Sequence, residues 1–286
     1  MTIPVIQPLF KYFGHKDAKQ PLENGGLKVL ANRSLKATPP NEFNDPFEFS
    51  PVVRPSGTAK QQINPIEDRA FFDQHFPTHP KWRNFDHYLT CIRANKVALQ
   101  QGSLSYANNF QDNLPQMASN TIGVICFSSE AAQPLMWAHY ASAHTGLMLE
   151  FSADCPLFQD MGKLKVNFLE VDYPPDRVKP VYDPTKSEES LRQLRQIAGR
   201  KSIDWKYEAE YRVIVELSRT YMPEGSKLHL FHIDPSWIAS VTFGVRCPEP
   251  IQTKVARLLT QSELKHIRRF VIRMHREKFV LERHEL

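Results

Sequence analysis

The sequence predicts one α+β domain with a mixed or antiparallel β core and flanking helices, and three observations carry that expectation. Strand-like apolar runs crowd the second half of the 286 residues, while helical periods lie mostly before or between them, unlike a regular βαβ alternation. No Gly/Ser linker or long polar tract divides the chain. No internal repeat supports a solenoid or propeller. The expected domain covers residues 8–284, and with 41% hydrophobic and 23% charged residues it can bury a full core without a metal or disulfide staple.

Leu9 to Phe13 and Leu27 to Leu30 are the first apolar clusters. A short strand near Ser34 to Ala37 is followed by Pro39 to Glu48, whose Pro, Asn and Asp content suits a compact turn and not a helix interior. Residues 51–84 are polar and proline-punctuated and read as an irregular surface excursion. From His87 to Phe110 apolar residues recur at helical spacing with no proline, predicting the longest helix. Strands are expected at Thr121 to Phe127, Gly146 to Phe151 and Lys163 to Tyr173. Gln133 to Ser142 should be helical, with Pro134 tolerated in its first turn, and Lys186 to Trp205 mainly helical. Further strands are expected at Tyr211 to Leu217, Ser226 to Phe231, Ile238 to Phe243, Phe270 to Arg273 and Lys278 to Glu282, with a helix from Glu249 to about Gln261.

Lys and Arg total 36 against 31 Asp and Glu, a net +5. The basic excess between Lys254 and Leu286 fits a solvated face, or a surface for a phosphate-rich partner. Four widely spaced cysteines form no CxxC pair, which signals neither a zinc knuckle nor a disulfide scaffold, and no metal site is expected. The N-terminus lacks a secretory pattern and no apolar run is long enough to span a bilayer, so the expectation is a soluble cytoplasmic protein with no membrane partner. GxxxxGK[ST], strand-linked GxGxxG, GxSxG and HExxH are all absent, which removes support for the common ATP loop, dinucleotide fingerprint, serine-hydrolase elbow and zincin helix.

Three clusters carry candidate chemistry. In NEFNDPFE, Asn44 and Asp45 either satisfy their own turn or present an amide and a carboxylate to a polar ligand. In the helix containing Trp137, His139, Tyr140 and then His144, the aromatic residues form a packing seam or a cleft wall, with His139 or His144 as proton-transfer groups. In WKYEAEYR, Glu210 and Arg212 should share a strand face, and Glu208 should sit unburied at the strand entrance. A Glu210 to Arg212 contact either fixes the sheet edge or orients a carboxylate that assists reaction at a sugar.

Taken together, FKYF, LKATPPNEFNDPFE, VICFSSE, LMWAHYASAHTGLMLEF, WKYEAEYRVIVEL and VTFGVRC resemble the bacterial domain of unknown function 2971 family, in chain order over nearly all of the protein. The family's label names no activity, and its members are often found in mobile or defence-associated gene neighbourhoods. Its recurrent polar positions map onto Lys11, Tyr12, Asn44, Asp45, Trp137, His139, Tyr140, His144, Gly146, Glu208, Glu210 and Arg212. The pattern also resembles, loosely and at the level of fold, the ADP-ribosyltransferases. Glu208-Ala209-Glu210 has their ExE spacing, but their serine-threonine-serine element is missing.

That second resemblance implies transfer of ADP-ribose from NAD to a protein or nucleic-acid acceptor. Glu208 or Glu210 would bind the nicotinamide-ribose hydroxyl, Tyr12 or Tyr140 would stack on nicotinamide, and Asn44, His139 or Lys11 would position the amide and pyrophosphate. The alternatives are a noncatalytic module binding a small ligand or nucleic acid, and a metal-dependent nuclease built on Asp45, Glu208, Glu210 and Lys206. If Asn44 and His139 belong to one site, the NEFNDPFE turn and the aromatic helix should meet in space as one pocket wall.

Overall fold

The computed structural model describes residues 7–52, 67–76, 78, 81–94, 108–109, 111–159, 168–177 and 195–286. They form a single α+β domain whose strands are β1 (Leu9–Phe13), β2 (Ser34–Lys36), β3 (Ile122–Ser128), β4 (Leu147–Phe151), β5 (Phe168–Glu170), β6 (Glu210–Glu216), β7 (Leu230–His232), β8 (Ile238–Phe243), β9 (Arg268–Met274) and β10 (Leu281–Glu285). Eight of them make one mixed sheet in the order β10-β9-β8-β4-β1-β3-β6-β5. The pairings are antiparallel except for the parallel join of β8 to β9, across which helix Glu249–Leu258 makes the crossover. A separate ribbon pairs β2 with β7.

Side-chain alternation divides the sheet into two unlike faces. On one, Leu9 of β1, Leu147, Leu149 and Phe151 of β4, Val213 and Val215 of β6, and Val241 and Phe243 of β8 meet Leu27 and Leu30 of helix Gly25–Asn32 and Ile251 and Val255 of helix Glu249–Leu258 in the main core. Asn24 starts the first of these helices by accepting from the Gly26 amide at 2.7 Å, and its own amide donates to the Phe13 carbonyl, tying the helix to the end of β1. The second face carries two smaller apolar clusters. One gathers Phe10, Tyr12, Met148, Ile272 and Leu281 beneath Met136 and Trp137 of helix Pro134–Tyr140. The other gathers Val124, Leu169, Ile197 and Phe49. Between these two clusters lies a polar region, and it holds the candidate site.

Most strands fall where the periodicity places them. The differences come from contacts distant in sequence. Ser226 to Phe231 yields a strand only from Leu230, because β7 pairs where β2 is available. Thr121 to Phe127 ends one residue later, at Ser128, which pairs with Glu210. Within the expected excursion of residues 51–84, Arg69–His75 is helical, and its Phe72 is buried against Phe85 and Tyr88 of helix Phe85–Ala94. The rest of the long helix expected to Phe110 lies largely outside the described residues, as do Lys163 to Asn167 and Lys186 to Leu194. Ile203–Glu208, expected to continue a helix to Trp205, is a 3-10 helix reaching Glu208. No helix among the described residues is long and apolar enough to cross a membrane.

Candidate functional site

The site begins with a split in the sheet. β1 follows β4 from Leu9–Phe151 to Phe13–Leu147 but meets β3 at one register position, Phe10 with Ser128. Farther along, β3 pairs instead with Thr38, just after β2, through two backbone bonds between Thr38 and Val124 of 2.8 and 2.9 Å. The divergence leaves a cavity of about 340 Å³ between β1, β3 and the segment from Lys36 to Glu48, closed on one side by Met136 and Tyr140. That is a size suited to a small polar ligand or to one end of a larger one. In place of a backbone partner, the Cys126 carbonyl accepts from Lys11 Nζ at 2.8 Å.

At the base of the cavity lies a buried ion cluster. Lys201, with 4% of its side chain exposed, lies 2.6 Å from Glu208 Oε2, 3.2 Å from Glu210 Oε2 and 3.2 Å from Glu48 Oε1. Arg212 is fully buried. Its Nε donates to Glu210 Oε1 at 2.8 Å, Nη1 donates to the Ala198 carbonyl at 2.8 Å, and Nη2 is shared between Glu210 and Glu48. The rings of Phe43 and Phe49 lie 5.4 and 6.0 Å from its guanidinium carbon. Burying ions costs several kcal/mol each unless their partners are complete, and here nearly every donor has an acceptor. The NEFNDPFE segment therefore serves as a lid on this cluster through Phe43, Glu48 and the adjoining Phe49.

Local backbone geometry brings the two late glutamates together. Glu208 ends the 3-10 helix, Ala209 adopts left-handed φ of 42°, and Glu210 opens β6. The two carboxylates thus converge on Lys201 through a turn, and the ExE spacing does not arise from plain strand alternation. Ser128 Oγ donates to the Glu208 carbonyl at 2.5 Å and the Glu210 amide donates to Tyr173 Oη at 2.8 Å, pinning both ends of that turn.

Three carboxylates share two cations, and the environment sorts them. Burial pushes Glu208 up to about 7, outweighing the ammonium of Lys201 and reinforced by the charge of Glu210. Burial alone would raise Glu210 too, but the Arg212 guanidinium and the Lys201 ammonium hold it well below the usual carboxylate range. Burial also raises Glu48, against the pull of Arg212 and Lys201. Lys201 stays charged because Glu210, Glu48 and Glu208 overcome the desolvation that would lower it. Tyr140 donates its hydroxyl to Glu208 Oε1, and burial beside that carboxylate keeps the phenol protonated.

Of the residues singled out by sequence, Lys11, Tyr12, Asn44, Tyr140, Glu208 and Glu210 line the cavity, and Arg212 lies behind Glu210. The turn and the aromatic helix do meet there, through Asn44 and Tyr140. His139 does not line it: the ring is exposed and lies 6.0 Å from that of Tyr207. Trp137 is fully buried in the core, donating to the Ala131 carbonyl at 3.0 Å. Asp45 accepts from the Phe47 amide at 2.9 Å and holds its own turn. His144 lies in a left-handed stretch whose carbonyl accepts from the Arg246 amide, away from the cavity lining. Glu208 is 3% exposed, which corrects the expectation of an unburied strand entrance; the bend at Ala209 turns it inward.

Glu48 and Lys201 are central to the cluster but were not singled out by sequence. Glu48 belongs to the quoted NEFNDPFE motif, so a signal was present, whereas nothing around Lys201 distinguishes it from a surface lysine. In the basic C-terminal stretch, Arg268, Arg269, Arg273, Arg276 and Lys278 are exposed, while Arg283 pairs with Glu150 at 2.5 Å.

Residues 136–213 match the model of a family described as a protein of unknown function (DUF2971). The span runs from the helix at Met136 into β6 and holds Tyr140, Lys201, Glu208, Glu210 and Arg212, while Lys11, Asn44 and Glu48 lie outside it. No curated protein and no solved structure matches the chain.

Proposed function

We propose that the chain is an enzyme that holds the nicotinamide-ribose end of NAD in this cavity and transfers ADP-ribose to a protein or nucleic-acid acceptor. The observation that carries the reading is the Glu208 carboxyl, buried at the cavity wall between Lys201 and Tyr140 with an ionisation poised near neutrality. Four glutamates and three lysines line the cavity and Arg212 backs Glu48 and Glu210, so the wall is close to charge-balanced. The group that would meet a departing pyridinium and the sugar cation is the Glu208 carboxylate. The C1′–N bond breaks with its electron pair leaving on nicotinamide, the acceptor's nucleophilic atom bonds to C1′, and its proton passes to the Glu208 carboxylate. Glu208, accepting from a ribose hydroxyl, stabilises the positive charge on the sugar, while Glu210 holds Lys201 and Arg212 in place behind it. Tyr12 and Tyr140 supply aromatic walls, and Asn44 supplies an amide at the mouth. The pyrophosphate and adenosine lie outside this small space.

A second reading is a noncatalytic pocket, favoured by the completeness of the pairing among Glu48, Glu208, Glu210, Lys201 and Arg212, which by itself would hold the lid to the sheet. The groups considered for a metal-dependent nuclease are less well gathered, since Asp45 and Lys206 do not line the cavity. Among the described residues no group of three or more His, Cys, Asp or Glu side chains is arranged to hold a metal ion.

The deciding experiment measures NAD binding and nicotinamide release for wild type and Glu208→Gln. Loss of an interaction made mainly in the transition state should lower turnover by roughly 10²-fold or more while changing affinity less. A well-folded wild type that neither binds NAD nor releases nicotinamide, with protein or nucleic-acid acceptors present, would overturn the proposal and leave the binding pocket ahead.

A further inference from the structure

We propose that the Lys11 amine is a nucleophile for carbonyl compounds, and that the cavity takes a small neutral aldehyde, such as an open-chain aldose, as an imine on Lys11 Nζ. The geometry rests on the split between β1 and β3. Lys11 leaves β1 on the side of Leu9 and Phe13 and brings its amine to the cavity wall, with the ring centres of Phe13 and Phe127 at 5.9 and 5.6 Å from Nζ. Among the described residues it has one hydrogen-bond acceptor, the Cys126 carbonyl at 2.8 Å, for a group that has three hydrogens when charged. A structural lysine in such a place would be expected to meet a carboxylate, as Lys201 does with Glu208 and Lys36 does with Glu42 at 2.8 Å.

The surroundings make this amine easier to deprotonate than a surface lysine. Burial lowers the ionisation of Lys11 from its ordinary value, with Cys126 from β3 and Glu210 from β6 opposing and Lys36 from β2 assisting. The Cys126 thiol is itself pushed up by burial, so it is uncharged near neutrality. The charge of Glu210 is already engaged by Arg212 and Lys201. The wall's carboxylates are already paired with Lys36, Lys201 and Arg212, which suits a neutral carbonyl as the occupant.

The chemistry balances without an oxidant or reductant. The Nζ lone pair adds to the carbonyl carbon, and the carbonyl oxygen takes a proton from an acid such as the Glu208 carboxyl on the same cavity. The nitrogen returns a proton to the carboxylate, and the carbinolamine then loses water to give the imine. None of this requires NAD, so the proposal stands or falls separately from the transferase reading.

The test uses the intact wild-type chain with glycolaldehyde and sodium cyanoborohydride, which reduces the imine to a stable secondary amine, followed by peptide mass mapping at several pH values. At pH 7 Lys11 should be labelled at least ~10-fold faster than exposed Lys254, and the midpoint of its rate profile should lie below that of the exposed lysines. Lys11→Arg, with its fold checked by circular dichroism, should lose that label and keep the others. Labelling of Lys11 no faster than Lys254, or a rate profile with the midpoint of an ordinary lysine, would overturn the proposal.

Discussion

Lys201 faces Glu48, Glu208 and Glu210 where little water reaches it, so its removal affects all three at once. Methionine can occupy much of the volume of a lysine stem, but it leaves Arg212 alone to balance three buried carboxylates. Lys201→Met should therefore lower unfolding free energy by roughly 3–5 kcal/mol, the range seen when one partner of a buried pair is deleted. Urea unfolding measures it. Adding Glu48→Gln to that variant should recover part of the loss, because it removes one of the uncompensated charges. A single variant within experimental error of wild type would mean that the cluster is wetter than its burial indicates. The same residue-scale reasoning explains why Glu208 differs from Glu210. Glu210 has Arg212 and Lys201 on it, whereas Glu208 shares Lys201 and turns its other oxygen to a phenol.

At the scale of elements, the segment after helix Pro134–Tyr140 decides how Tyr140 is presented. Ser142, Ala143 and His144 all adopt left-handed backbone, with φ of 48°, 51° and 70°. Three such residues in a row are costly for side chains bearing Cβ, and the turn persists because its amides are answered: Ala143 to Ala138, His144 to Trp137 and Gly146 to Ala141. Gly146 is required by proximity, since a Cβ there would stand 2.2 Å from the Phe13 carbonyl oxygen. Ala143 is exposed and has no such constraint. Ala143→Gly should raise stability by about 1 kcal/mol, relief of the left-handed cost exceeding the added freedom of the unfolded chain. Gly146→Ala should lower stability, because β1 would have to move. Paired thermal melts of the two variants check both signs, and a destabilised Ala143→Gly would refute the left-handed assignment.

For the whole molecule, the polar seam between two apolar clusters makes stability depend on pH with opposing contributions. Glu208 has its folded ionisation raised from 4.5 to about 7, so its contribution is fully present below about 4.5 and is lost as pH rises towards 7. Glu210 is depressed, so its contribution is present above the ordinary carboxylate range and is lost as pH falls below it. Glu208→Gln cannot ionise and should not show the first of these changes. The stability of wild type relative to Glu208→Gln should fall between pH 4.5 and 7.5, by on the order of 2 kcal/mol. Chemical denaturation across that range measures the difference. A difference that stays constant would show that Glu208 ionises as an ordinary carboxylate. If the enzymatic reading holds, turnover should inflect in the same upper part of the range.

Elements whose cause is local are legible in the residues themselves. The apolar positions of Ile238 to Phe243 and the continuous apolar run of Thr121 to Phe127 specify buried strands, and Pro134 followed by Met136, Trp137 and Tyr140 specifies a helix that starts where proline is harmless. The sequence also marked Glu210 with Arg212 as neighbours on one strand face, since a separation of two residues needs no tertiary information. Tertiary structure alone decided the site. The split that opens the cavity exists because β1 follows β4 and abandons β3 after Phe10, a competition between partners more than a hundred residues apart. Lys201 joins Glu48 across a comparably long stretch of chain, and the left-handed bend at Ala209 follows from that closure and not from alanine's own preference. Charge pairing and strand competition act through space, and neither leaves a period in the sequence.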